Sequence, residues 1–372
     1  MNLLILAHGN SSYSSKRPEA EIYIGLARAG HKVFLFTNKD RKDMPRVLEH
    51  GIKVIDYPYK SKVSVSAIKV IRKTIKENDI EIVYGMNSRN IPNAAFASIG
   101  CNVKLIVYRG TTGGLYRRDP TSYLSVLHPR VDGVVCVSHA VEKYVKTRVS
   151  SRVVKNVITI YKGHDLNWYT KPETDLTEFN TEKGNFNVAC VVNARPHKGL
   201  IYAIRATKDL ADLERMHLIL VGKNIDKEPY LSEIRKSGME DRIHTTGYRH
   251  DAPEIIAACD VLVLASMREG LPRVILESLA YKTPVVTSAN EGSMEIIENE
   301  VNGYVVPLRD ASAIADRLRH LYNNPEVLEE LSNNCQKHFT AKFSSEETVA
   351  KHEIFFQSLL LGEGSINENQ AS

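Results

Sequence analysis

Val261-Leu262-Val263-Leu264-Ala265-Ser266-Met267-Arg268-Glu269-Gly270-Leu271-Pro272-Arg273-Val274-Ile275-Leu276-Glu277 is the stretch on which the reading of this chain turns. Its first five residues form a short apolar run, as in a strand buried on both faces. Glu269-Gly270 reads as a tight turn. A helix follows with Pro272 in its first turn, where the missing N–H costs nothing because that amide has no intrahelical acceptor. Glu269 then stands at the positive end of the helix, and Glu277 about two turns along it. At a rise of ~1.5 Å per residue the two carboxylates can be up to roughly 12 Å apart along the axis. The helix N-terminus between them attracts phosphate. A sugar and a ribose joined by a diphosphate span a similar distance. A second apolar strand, Pro284-Val285-Val286-Thr287-Ser288, completes a strand–helix–strand unit.

The same alternation runs outward from this unit. Strands are expected at 187–193, 217–221 and 243–246, with helices at 200–209, 230–236 and 252–258. In the first half, strands are expected at 2–7, 31–37, 54–57, 80–84, 105–108 and 133–138, and helices at 18–29 and 66–77. Such alternation argues for parallel sheets with helices on both faces. Residues 171–186 are polar and broken by Pro172 and Gly184, so they read as a linker. The expected fold class is α/β, with two Rossmann-like doubly wound domains facing a cleft, 1–170 and 187–345. Ligands of such sheets sit beyond the carboxyl ends of the strands.

Composition narrows the functional classes. The 372 residues suffice for two ordinary domains, and 43% hydrophobic with 25% charged residues suits a soluble chain. No run approaches the ~20 apolar residues that span a bilayer. The opening Met1-Asn2-Leu3-Leu4-Ile5-Leu6-Ala7 lacks the basic leader of a signal peptide and reads as a core strand. The five cysteines are scattered and form no C-x-x-C pair, which fits buried thiols in a reducing cytoplasm. Charge is unevenly shared. Residues 1–170 hold 27 Lys and Arg against 13 Asp and Glu, whereas the remainder holds 22 against 31. A basic first half suits an anionic partner such as a membrane surface or an acidic glycan. No nucleic-acid motif accompanies it.

Three further motifs lie at strand ends. Ala7-His8-Gly9-Asn10-Ser11-Ser12 is not G-x-G-x-x-G, which weighs against a dinucleotide-dependent oxidoreductase. Gly9 would let backbone approach a ligand, or simply make a turn. Ala194-Arg195-Pro196-His197-Lys198-Gly199 sets two cations beside a helix start, which suits an anion: Arg195 as a fork, Lys198 as a mobile point charge. At Gly247-Tyr248-Arg249, Tyr248 or the backbone beside Arg249 could hold a flat base, with a plain turn as the alternative.

With these pieces assembled, the chain resembles the retaining GT-B-fold glycosyltransferases of family 4 (glycosyl transferases group 1) over nearly its whole length. The resemblance is carried by Lys198-Gly199, Gly222, Gly247, Ser266 to Glu277, Thr283-Pro284-Val285-Val286, Glu295-Ile296-Ile297 and Asn302-Gly303. Residues 135–141 and 160–165 are similar to the family's two segments before the interdomain linker. The resemblance implies that Glu269 contacts the donor sugar and Glu277 the ribose hydroxyls. Gly270 and Leu271 would offer amides to sugar and phosphate, Arg195 and Lys198 would take the diphosphate, and Gly9 would mark the acceptor-domain loop closing over it. Tyr248 and Arg249 would belong to the same donor site. The family's histidine after the strand at 105–108 is missing; Arg109 is expected in its place, with His128 as an acceptor-side alternative. Lys282 stands where the family usually has glycine. Residues 10–17 are expected as an acceptor-side loop, and 346–372 as a helix packing back on the first domain followed by a disordered tail.

The implied activity is transfer of a hexose from a nucleotide sugar to a glycan or lipid-linked acceptor in envelope or exported polysaccharide assembly. A UDP-sugar is the favoured donor and a GDP-sugar the alternative, with no cofactor required and no metal. The implied location is cytoplasmic, with peripheral contact at the inner face of an anionic membrane and no nucleic-acid partner. The rival readings are another GT-B enzyme (a phosphorylase or sugar-nucleotide epimerase) and a non-catalytic sugar-nucleotide-binding subunit.

Overall fold

Seven parallel strands form the first sheet: β1 (Asn2–Leu6), β2 (Lys32–Thr37), β3 (Lys53–Asp56), β4 (Ile82–Gly85), β5 (Lys104–Arg109), β6 (Gly133–Cys136) and β7 (Val157–Thr159). The structure, a computed structural model, describes residues 1–7, 13–41, 43–57, 62–182 and 184–362. Gly9, residues 10–12 of the expected acceptor-side loop, and the tail from 363 lie outside them. The strands run in the order β3-β2-β1-β4-β5-β6-β7. Leu3 to Leu6 have no exposed surface, as expected of a parallel strand covered on both faces. The last helix, Ser345–Leu361, belongs to this unit: Phe355, Phe356 and Leu359 share a core with Leu3, Ile5, Tyr84 and Ile106.

The second sheet has six parallel strands: β8 (Phe186–Val191), β9 (Met216–Val221), β10 (Ile243–Thr245), β11 (Val261–Leu264), β12 (Val285–Ser288) and β13 (Gly303–Val306). Their order is β10-β9-β8-β11-β12-β13. Within each unit the order reverses between the first strand and the fourth, β1 and β4 or β8 and β11. The crevice at such a reversal, beyond the carboxyl ends, is where doubly wound sheets take ligands. Both halves are therefore Rossmann-like α/β domains.

The boundaries differ from those expected. The chain divides into Met1–His164 together with the segment from Phe343 onward, and Asp165–Lys342. The stretch 171–186 is no linker but part of the second unit. Leu176–Phe179 forms a 3-10 turn with Leu176 buried, and the Thr174 N–H donates to the Glu254 carbonyl at 3.2 Å. Its polar composition hides order that comes from residues far along the chain. Helix Tyr13–Arg28 also starts within the expected loop, carrying Pro18 inside it. Among the described residues, no helix is long and apolar enough to cross a membrane.

Candidate active site

In the second unit, the loops leaving β8 and β11 meet at the strand reversal. Gly199 takes φ +62°, and a Cβ there would lie 1.9 Å from the Ala265 carbonyl oxygen, so only glycine lets the loops touch. They are laced by the Met267 N–H donating to the His197 carbonyl at 2.9 Å. The Lys198 ammonium thereby meets both oxygens of Glu269, at 2.7 and 2.9 Å. The Glu269 side chain is only 11% exposed and that of Lys198 27%. Arg195, on the same loop, is exposed; its carbonyl accepts the Lys198 N–H at 2.9 Å, and its guanidinium makes no hydrogen bond or ion pair to another described residue. A carboxylate, an ammonium and an open guanidinium thus gather at one strand edge.

The helix after β11 spans Arg273–Ala280, with Pro272 as its N-cap rather than inside its first turn. Among the described residues, the N–H groups of Gly270 and Leu271 donate to no protein acceptor. Glu277 is buried, and the Arg273 Nε reaches its Oε1 at 2.9 Å. Burial raises the Glu277 carboxyl above the ordinary glutamate range; Arg273 works against the rise and nearby Glu254 adds to it.

Sequence reasoning missed two contributors. Glu254 lies in the helix Ala252–Ala257 with Oε1 paired to the Lys171 ammonium at 3.2 Å and Oε2 buried and unpartnered. The other is the segment after β12. Asn290 donates to the Ser266 carbonyl at 3.0 Å, and Gly292 lies directly beneath the turn: a Cβ there would come within 2.6 Å of the Gly270 oxygen and 2.8 Å of the Glu269 oxygen. Their signal was the strand end itself, a polar run just past Thr287-Ser288.

Other expected site residues are placed differently. The Arg249 guanidinium is spent on Asp251, at 2.8 and 2.7 Å, and Glu178, at 3.0 and 2.9 Å, so its side chain braces the loop. Only backbone at this position is open to a ligand. Tyr248 is 49% exposed beside Gly247, with the Lys223 ammonium 5.0 Å from its ring centre. In the first unit, Arg109 ends β5 at the carboxyl edge but turns its guanidinium onto the carbonyls of Thr111, at 2.9 Å, and Gly113. His128 precedes β6 and so lies at the opposite, amino edge of that sheet, its Nδ1 accepting the Arg130 N–H at 3.1 Å. The chain recrosses the sheet between Arg109 and His128, so one cannot replace the other. No group of three or more His, Cys, Asp or Glu able to hold a metal is found among the described residues.

Residues 173–338 match the family described as glycosyl transferases group 1, and residues 20–168 match glycosyltransferase family 4. The chain is 22% identical over 351 residues to the N-acetyl-alpha-D-glucosaminyl L-malate synthase of Bacillus anthracis, covering 90% of this chain and 91% of that one. It is 27% identical over 186 residues to the UDP-Gal:alpha-D-GlcNAc-diphosphoundecaprenol alpha-1,3-galactosyltransferase of Escherichia coli, covering 48% of this chain and about half (47%) of that enzyme. The fold matches that of Anabaena Alr3699/HepE, solved with UDP (TM-score 0.77) and with UDP-glucose (0.74), at 21% identity over 96% of this chain and all of that one. This chain is a GT-B glycosyltransferase. As expected of a GT-B glycosyltransferase, its two family matches fall on the two units, one on each. Lys198, Glu269 and Glu277 all fall within the match over residues 173–338.

Proposed function

We propose that this glycosyltransferase takes a hexose from a UDP-sugar and passes it, with retention of anomeric configuration, to a hydroxyl of a glycan or lipid-linked acceptor. The Lys198–Glu269 pair beside the open amides of Gly270 and Leu271 carries this reading. It couples a cation for the diphosphate to a carboxylate for the sugar at one strand edge. HepE was solved with UDP and UDP-glucose, and the E. coli relative is named for a diphosphoundecaprenol acceptor. These support the donor and the acceptor class.

In this scheme the bond from the sugar's anomeric carbon to the diphosphate oxygen breaks, and negative charge grows on the leaving UDP. Lys198, Arg195 and the two amides are fixed donors for that charge. The acceptor oxygen attacks the face that UDP vacates, and its proton passes to the departing phosphate. Glu269 holds sugar hydroxyls; Glu277, desolvated and braced by Arg273, holds the ribose. Arg109 organises its own loop at the carboxyl edge of the first sheet.

Thermal melts with UDP, GDP and ADP, and the anomeric configuration of the product by NMR, test the reading. UDP alone should raise the melting temperature, by the equivalent of about 2.7 kcal/mol at 100 times its Kd. A shift with GDP and none with UDP would overturn the donor, and an inverted product the mechanism. Release of sugar phosphate from glycan and inorganic phosphate would make the enzyme a phosphorylase.

A further inference from the structure

Substrates of a doubly wound sheet belong at its carboxyl edge, yet the amino edge of the first sheet carries a built feature that the transfer does not use. A cavity of about 380 Å³ opens there, rimmed by Arg117, Arg148, Arg152 and Tyr123 over a floor that includes Val149 and Val153. Its lining contains no carboxylate. A smaller cavity shares Arg152 and brings Lys104, at the start of β5, and Lys155 to the same edge. The one acid lining the two cavities, Asp132, is already taken by Arg130 at 2.5 Å and by Arg152 Nη1 at 2.9 Å, while Arg152 Nη2 donates to the Pro129 and Val131 carbonyls at 2.6 Å. Positive charge lining the two cavities is therefore in excess.

The cations are held in place. Arg117 gives Nε to the Arg148 carbonyl at 3.1 Å and Nη2 to the Val149 carbonyl at 3.5 Å. Its Nη1 donates to no described group. Arg148 lies on the Tyr144 ring, 4.5 Å from its centre. Because His128 Nδ1 accepts a backbone N–H, the neutral ring carries its proton on Nε2 and adds a donor to the lining. Apolar side chains are exposed on the same edge: Tyr123 in the cavity rim is 41% exposed, Leu361, next to Gly362 of the smaller cavity, 72%, and Ile99, next to Ser98 whose carbonyl accepts from Arg130 Nε, 50%. Cations alone would suit any anion. Cations mixed with exposed Ile, Leu and Tyr suit the boundary between headgroups and acyl chains.

We infer that this amino edge rests on an anionic bilayer, with the arginine-rimmed cavity receiving a lipid phosphate. The contact locates the membrane side of the proposed function, but its chemistry does not depend on the donor or acceptor. From Lys104 to Arg109, β5 separates the two edges by about 16 Å at ~3.3 Å per residue. Lipid contact therefore leaves the carboxyl edge free.

Vesicle co-sedimentation of the full chain tests this without substrate. Binding to phosphatidylcholine vesicles containing phosphatidylglycerol is expected, and should fall with salt; pure phosphatidylcholine should not bind. At about 1 kcal/mol per basic group, Arg148→Glu with Lys155→Glu should lower partitioning at least tenfold. Arg148→Lys should retain binding. Lys155→Glu alone, at an exposed side chain with no hydrogen-bond or ion-pair partner among the described residues, should lower it several-fold without any risk to folding. Lys69→Glu with Lys73→Glu, on the exposed face of helix Val65–Glu77, changes net charge equally and should cost less than about twofold. Equal losses in that control would overturn the located face, as would absence of binding. Release by millimolar glycerol phosphate would make the cavity a site for a soluble anion instead. UDP melts run alongside keep the readings apart: a wild type that binds vesicles but shows no UDP shift loses the donor reading and keeps this one.

Discussion

Lys198 and Glu269 neutralise each other in a setting where neither is fully solvated, so each single truncation has two effects. Lys198→Ala removes a donor to the leaving diphosphate and should lower kcat on the order of 10²–10³. It also strands a mostly buried carboxylate, at a cost of about 1–3 kcal/mol once the partial exposure of Lys198 is allowed for. Lys198→Ala with Glu269→Ala should therefore be more stable to urea than Lys198→Ala alone, and no more active. Equal stability of the two would show that the pair is screened by solvent. Glu277 makes the opposite trade. Burial raises its pKa, so its ionisation opposes folding. That cost is absent below the ordinary glutamate pKa and grows as pH rises through the raised value. Glu277→Gln should gain stability over the parent between pH 4 and pH 8, while UDP affinity falls about tenfold or more with loss of a charged hydrogen bond. Urea melts at both pH values and UDP titration check the two halves. A stability gain that shrinks with pH would refute the assignment.

The unit of β11, turn and helix works because β12 is followed by Gly292. Gly292→Ala should push the Glu269-Gly270 turn out of place, costing about 1–3 kcal/mol of stability and at least tenfold in kcat/KM. Unchanged kinetics would mean that the turn tolerates displacement. The end of the same helix carries Lys282 at φ +64°, a left-handed conformation that costs a side chain roughly 1–2 kcal/mol. Lys282→Gly should raise stability by about 1 kcal/mol with kcat unaltered, read from melts and initial rates. The strand, turn and helix were legible because each rests on local signals: an apolar run, a glycine and a proline. So was the departure at Lys282, where glycine's absence is visible in the letters. What was not legible depends on distant partners. The segment 171–186 looks like a linker until Arg249 closes on Glu178. The cations of Arg249 and Arg109 look free until their acceptors are seen. His128 looks close to Arg109 in sequence, but the chain carries it to the other edge of the sheet.

At the scale of the whole chain, the first unit is completed by its last described helix, Ser345–Leu361. His352, on that helix, is almost fully buried. Its Nδ1–H donates to the Thr348 carbonyl at 2.7 Å, so its Nε2 accepts the Tyr84 hydroxyl at 3.2 Å. This arrangement needs the neutral imidazole, and burial lowers its pKa to about 4. The unfolded chain takes up a proton near pH 6.5 and the folded one does not. Stability of the first unit should therefore be full above pH 7 and fall as pH drops from about 6.5 to about 4, by on the order of 3 kcal/mol. The single tryptophan, Trp168, lies in the second unit, so its emission follows that unit while far-UV circular dichroism follows both. Urea melts across this pH range should show the circular-dichroism transition outside the tryptophan transition moving to lower urea as pH falls. In His352→Gln, which cannot titrate, that movement should be largely lost, although the variant starts from lower stability at pH 8. If the variant keeps the full slope, the acid sensitivity belongs to other groups and the buried histidine is not what ties the returning helix to its sheet.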